Sequence, residues 1–128
     1  MTDRANEASS RVYAQGDVLL LPVADVARAD AHPEPDRAVI LAEGEHTGHR
    51  HAFYGGAMMF RDDALARDVP SELYIGHIKI APGGATLEHG PGPGQRGDHD
   101  PIKVPTGTYI ALRQREYTGR EHGRPVED

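Results

Sequence analysis

Apolar residues come in short runs of four to eight, each closed by glycine, proline or aspartate. Fifteen glycines and ten prolines supply those breaks. Helix interiors tolerate neither residue well, so long helices are excluded and the runs predict strands. Val12–Gln15 and Val18–Val23 predict two strand pieces around a Gln15-Gly16-Asp17 turn. Val18–Leu21 is continuously apolar, as in a strand buried on both faces. Further strands are predicted at Arg37–Ala42, from His49 onward, and at Ala57–Phe60, Leu73–Ile80, Ala85–His89, Ile102–Val104 and Thr108–Tyr117. In the last of these, Ile110 and Leu112 share one face and Arg113 and Arg115 the other, the period of a strand with one wet side. Residues 24–30 predict a helical turn, and Asp62 the cap of another through Leu65 and Arg67. Residues 31–36 and 90–98 predict loops.

Seven or eight short strands at this spacing predict a mainly β fold, a small β-barrel or β-sandwich with at most one or two helical turns. The length of 128 residues suits one domain. Residues 1–10 and 118–128 are polar and lack periodicity, so they are expected as a disordered N-terminal and a flexible C-terminal tail. The single β domain is then 11–117.

Charge and composition narrow the function. Fourteen basic against twenty acidic residues leave a net charge of −6. That disfavours nonspecific nucleic-acid binding and anionic membrane surfaces. There is no cysteine, which removes disulfides, thiolate metal sites and thiol catalysis. No signal peptide or run of about twenty apolar residues occurs, so a cytoplasmic location is expected. No G-x-S-x-G elbow or phosphate-binding loop is present. Arg96-Gly97-Asp98 is an incidental loop tripeptide.

The eight histidines carry the chemistry. His46, His49 and His51 lie within six residues; His89 and His99 flank the glycine-rich loop. Side chains two apart on a strand share a face, about 6–7 Å from each other, so His49 and His51 can converge. A hairpin through residues 90–98 brings His89 and His99 to one end of the sheet. His49, His51, His89 and His99 are the expected metal ligands, with His46, Glu45 and Glu88 as additional candidates. Zinc, iron, nickel or manganese would suit the imidazoles. His77, inside an apolar strand, is expected as a satisfied core or edge histidine. His46 and His122 fit the surface equally well.

Two resemblances enter on these residues. Gly44 followed by His49-Arg50-His51, with the Pro105-Thr106-Gly107 turn, resembles the cupins. That resemblance implies a double-stranded β-helix barrel holding a metal in its mouth by the two H-x-H imidazoles. The chain departs from cupins at Phe53–Ala57, where an acidic residue is expected, and at Ile110, where a later histidine is expected. The segments Gln15–Leu19, Leu41–Glu45 with Thr47-Gly48-His49, and Arg113–Tyr117 are similar to those of a family of small bacterial proteins of unknown function. This implies that the three stretches belong to one compact fold. The expected function is divalent-metal or small-ligand binding. The alternative is a metal-free assembly protein, either a homo-oligomer or the accessory subunit of a larger partner.

Overall fold

The computed structural model describes residues 11–24, 38–43, 49–95, 97, 99–117 and 123–125. The strands are β1 (Tyr13–Gln15), β2 (Val18–Val23), β3 (Ala38–Glu43), β4 (Arg50–Tyr54), β5 (Ala57–Phe60), β6 (Tyr74–Ile80), β7 (Ala85–Gly90), β8 (Ile102–Val104), β9 (Gly107–Arg113), β10 (Arg115–Tyr117) and β11 (Gly123–Pro125). One sheet has the order β1-β2-β9-β6-β5 and the other β3-β4-β7-β8, with all neighbours antiparallel. A separate ribbon pairs β10 with β11, so residues 123–125, which the composition places in a tail, pair with the main chain of 115–117.

Both main sheets contribute to one core. Val18, Leu20, Ile78, Ile80, Tyr109 and Ala111 come from the first; Val39, Leu41, Phe53, Ala85, Leu87 and Val104 come from the second. The mainly β expectation holds as a β-sandwich. The sheets do not close into a barrel, so the barrel form of the expectation, and the cupin barrel with it, is not what the chain builds. Tyr109 fills the centre of the core, and its hydroxyl donates to the Pro105 carbonyl at 2.9 Å. Burial pushes this phenol up to about 12, with Tyr13 adding to the effect, so it remains a donor.

The β1–β2 hairpin turns at Gly16 and Asp17. Gly16 takes φ 58 while Asp17 does not enter the positive-φ region, so glycine is required at the first turn position. Strand β2 is covered on both faces, as its continuous apolarity predicts. Val18 and Leu20 enter the main core, while Leu21 and Val23 join a second cluster with Ala66, Val69, Tyr74, Ile110 and Leu112.

That second cluster corrects the expectation for β9. Ile110 and Leu112 do not form its only buried face: Tyr109 and Ala111, on the alternate positions, lie in the main core. Arg113 continues the face of Tyr109 and Ala111 and emerges at the end of the sandwich. The strand is central, between β2 and β6. Its outer face is covered by the segment after β5, where Asp62 accepts from the Leu65 amide at 3.1 Å and Ala66 and Val69 pack inward. This segment is the expected turn after Asp62, and a short 3-10 turn at Ser71–Leu73 follows it. Strand pairing ends differently as well: Gln114 leaves the ladder between β9 and β10 and donates its amide to the Asp17 carbonyl at 2.6 Å. The helical turn expected at 24–30 and the loop at 31–36 lie outside the described residues. Among the described residues no helix is long and apolar enough to cross a membrane.

Candidate functional site

Alternation along β4 and β7 builds the site. On β4, Phe53 enters the core, and His51 follows on the same face. On β7, Ala85 and Leu87 enter the core, and His89 follows them. The two strands pair with His51 opposite His89. The apolar core of this sheet therefore ends in a layer of imidazole. His51 is 0% exposed and His89 2%.

His49 and His99 complete the group from the flanking chain. The His51 and His89 rings stack, with centroids 4.3 Å apart and planes 24° apart. His49 meets His89 edge-on at 5.4 Å. His99 lies 4.8 Å from His89 and 6.0 Å from His51. All four histidines singled out by spacing are thus brought together, as the H-x-H pairing and the loop between β7 and β8 anticipate. The loop folds back onto β7: Gly97 donates to the His89 carbonyl at 2.7 Å, and His99 donates to His89 Nδ1 at 3.3 Å. A Cβ at Gly97 would stand 2.8 Å from both His49 Nδ1 and the His89 carbonyl, so only glycine allows this approach.

Of the additional candidates, Glu88 does not join them. Glu88 alternates away from His89, and its carboxylate accepts the Gly94 amide at 2.8 Å. Glu45 and His46 lie outside the described residues. His77 belongs to the opposite sheet, as a core histidine. It is 2% exposed, stacked on Phe60 at 5.4 Å, with Nδ1 2.7 Å from the Tyr74 hydroxyl.

Two residues of the site escape a reading by motif. Gln15 is 3% exposed, and its Nε2 donates to the Leu87 carbonyl at 3.0 Å and the Asp100 carbonyl at 2.8 Å. With both amide protons engaged, Oε1 is committed to accept, and it lies 2.9 Å from His51 Nδ1. His51 must therefore carry a proton on Nδ1, which leaves Nε2 as the lone-pair nitrogen of the neutral ring. Asp17 is 6% exposed; its Oδ1 is 3.9 Å from His51 Nε2 and its Oδ2 3.5 Å from Arg113. The Gln15-Gly16-Asp17 turn, the strand begun at His49 and the Arg113-Gln114 stretch thus meet at one point.

His89 is set the other way. Accepting the His99 amide on Nδ1 puts the proton of the neutral ring on Nε2. Among the described residues, no three His, Asp or Glu side chains form a group that could hold a metal ion as they stand.

The fold and site define a small two-sheet antiparallel β-sandwich that ends in a buried histidine cluster. The chain belongs to a family described as a domain of unknown function (DUF8820), which matches residues 14–114. The match begins one residue before Gln15 and ends at Gln114, so it includes every member of the site. No curated protein and no solved structure matches the chain.

Proposed function

We propose that this protein binds a divalent transition metal through imidazoles of the His49, His51, His89 and His99 cluster. The observation that carries this reading is the Gln15 amide on His51. Metal-binding histidines generally give their second ring proton to a fixed acceptor, which sets the tautomer and aims the free nitrogen. Gln15 does this from a buried position and is itself held by two main-chain carbonyls. An amide so constrained is more than the packing of a core histidine requires. The ring separations of 4.3 to 6.0 Å bracket the roughly 4.6–5.3 Å that nitrogens at zinc-like distances and ordinary coordination angles would give.

Metal capture requires His89 to release the 3.3 Å bond from the His99 amide and present a bare nitrogen. That bond is at the weak end of the range, and the His99 amide it frees needs a new partner. Zinc, iron, nickel and manganese remain the candidate ions, and an open coordination position would take water or a small polar ligand. A cytoplasmic setting is part of this proposal, since a fold without disulfides needs no oxidising compartment.

A second reading follows from the arrangement of the rings as they stand. A metal-free assembly protein or accessory subunit would use the same cluster as a satisfied polar layer. Elemental analysis of untagged protein separates the two. Near-stoichiometric metal, lost in His51→Ala, together with visible absorption bands on adding cobalt(II) to the wild type, supports the metal site. No metal, no cobalt spectrum and a melting temperature unmoved by chelator would overturn it, and light scattering would then test for oligomers.

A further inference from the structure

We propose that residues 61–73 form a strap over the outer face of the five-stranded sheet, and that taking a proton at His77 releases it. This goes beyond the metal reading and does not depend on it. The face beneath is apolar. Strand register sets Phe60, His77, Ile110 and Leu21 in one row across β5, β6, β9 and β2. Tyr74 and Leu112 pair on the same side, and the strap packs Ala66 and Val69 against this face. The strap's hydrogen bonds are mostly its own. Ala66 donates to the Asp62 and Asp63 carbonyls, Val69 to Ala66, Leu73 to Pro70, and the Arg67 guanidinium to Ala64. Among the described residues, its hydrogen bonds to the sheet come from its first two residues. The Asp62 amide donates to the Tyr74 hydroxyl at 2.9 Å, and the Arg61 guanidinium to the Tyr74 and Ile75 carbonyls at 3.3 and 3.0 Å. The Arg61 side chain is more than half exposed, so water can replace what it makes. Two apolar side chains and one buried hydroxyl therefore carry most of the attachment, which is how segments that open ahead of a core are held.

His77 stands behind that hydroxyl. Its Nδ1 is 2.7 Å from the Tyr74 oxygen, and the residue is 2% exposed. While the ring is neutral, the hydroxyl can give its proton to Nδ1 and accept from the Asp62 amide. A proton on Nδ1 turns that nitrogen into a donor, and the hydroxyl's own proton loses its acceptor. The Asp62 carboxylate is the acidic group that attracts an imidazolium here, and it already accepts the Leu65 amide at 3.1 Å. Drawn toward the ring, it would leave that cap, so either response acts on the first turn of the strap. The neighbours across the sheet, Phe60 and Ile110, are uncharged. On its own strand the titratable groups are Tyr74 and, two positions along the same face, Lys79. Arg61 lies over the Tyr74 ring. Burial holds the proton affinity of His77 below the ordinary 6.5, with Asp62 opposing only in part. Lifting the strap lets water reach the ring and restores the ordinary value. Opening thus takes up a proton, and its equilibrium rises by at most about tenfold for each pH unit below 6.5.

The test follows amide exchange in the wild-type chain at about pH 7.5 and about 5.5, each rate corrected for the intrinsic effect of pH. Protection of the Asp62, Ala66 and Val69 amides should fall about threefold to tenfold relative to that of β6 and β9. His77→Gln keeps a polar side chain beside Tyr74 but cannot titrate in this range, so its strap should be equally protected at both pH values. Because the chain has no cysteine, Ala66→Cys supplies a single reporter of the covered face. Labelling of that thiol, normalised to the unfolded chain, should accelerate by the same factor as the amides. The exchange measurement needs no variant and stands even if Ala66→Cys does not fold. Strap protection that keeps its ratio to the strands at both pH values, or falls equally in His77→Gln, would show that His77 does not control the strap. Amides that open while the introduced thiol stays unlabelled would show that the face remains covered, and the proposal would fall.

Discussion

Among the described residues, histidine is buried in two places, and the two settings differ. His77, on the five-stranded sheet, is closed into a short chain. The Asp62 amide donates to the Tyr74 hydroxyl at 2.9 Å, and that hydroxyl meets His77 Nδ1 at 2.7 Å. With burial keeping the imidazole neutral-leaning, the hydroxyl can give its proton to Nδ1 while its oxygen accepts from the amide, and Phe60 covers the ring face. Arg61 lies over the Tyr74 ring at 4.6 Å. Each polar group there has a neighbour of opposite character. The His51 cluster gathers four imidazoles, an amide and a carboxylate. Burial of a histidine therefore says little by itself. The two settings differ in what surrounds the ring: a tyrosine and a phenylalanine at His77, other imidazoles, an amide and a carboxylate at His51.

The sharpest way to break the comparison is at Gln15. Gln15→Leu keeps approximate size but deprives the Leu87 and Asp100 carbonyls and the His51 Nδ1 proton of their partners. Buried polar groups left unmade cost about 1–3 kcal/mol each, so a loss of about 3 kcal/mol or more is expected in urea unfolding. His51 should also lose its fixed tautomer, visible in the ring nitrogen shifts. A loss under about 1 kcal/mol with the Nδ1 proton still in place would show that Gln15 does not hold the ring.

How far this contrast was legible in the sequence depends on the range of the contacts. His49 and His51 could be paired because period-two alternation is local, and His89 follows Ala85 and Leu87 by the same rule. His99 was reachable through the loop that returns the chain toward β7. Gln15 and Asp17 read only as turn residues, because their role arises where the β1–β2 hairpin meets the other sheet, 36 residues along the chain for the Gln15–His51 bond. Glu88 was a candidate by sequence proximity and fails by alternation. The covered outer face of β9 was missed for a related reason. Its cover, the segment after Asp62, is largely charged and contributes only Ala66 and Val69 to the cluster.

A smaller effect is expected in the closed chain. Tyr74→Phe deletes the hydroxyl that links the Asp62 amide to His77, leaving one donor and one acceptor unpaired near the edge of the structure. Water can reach this side more readily, so the expected loss is about 1–2 kcal/mol in denaturant unfolding. Amide exchange at Asp62 should accelerate, while signals of the His51 cluster stay unmoved. If both clusters responded together, they would form one coupled network and the contrast would fail.

The smallest expected effect is a pH dependence that belongs to His77 alone. Burial lowers the readiness of this imidazole to take a proton below the ordinary value of 6.5, and the Asp62 carboxylate only partly opposes this. The unfolded chain therefore binds a proton at His77 more readily than the folded chain does. Between the ordinary value and the lower folded one, the unfolded state carries more protons, and stability must rise with pH. The contribution of His77 is thus fully present above 6.5 and is lost as the pH falls below it. Protonation would also take away the lone pair that accepts the Tyr74 proton, so the chemical reason for the loss is the same closed chain. The test is a difference: unfolding midpoints of wild type and His77→Gln, followed from about pH 8 down through 6.5. The wild type should lose stability relative to the variant only on the acid side. A difference that stays flat across that range would mean that His77 takes its proton without disturbing the chain that surrounds it.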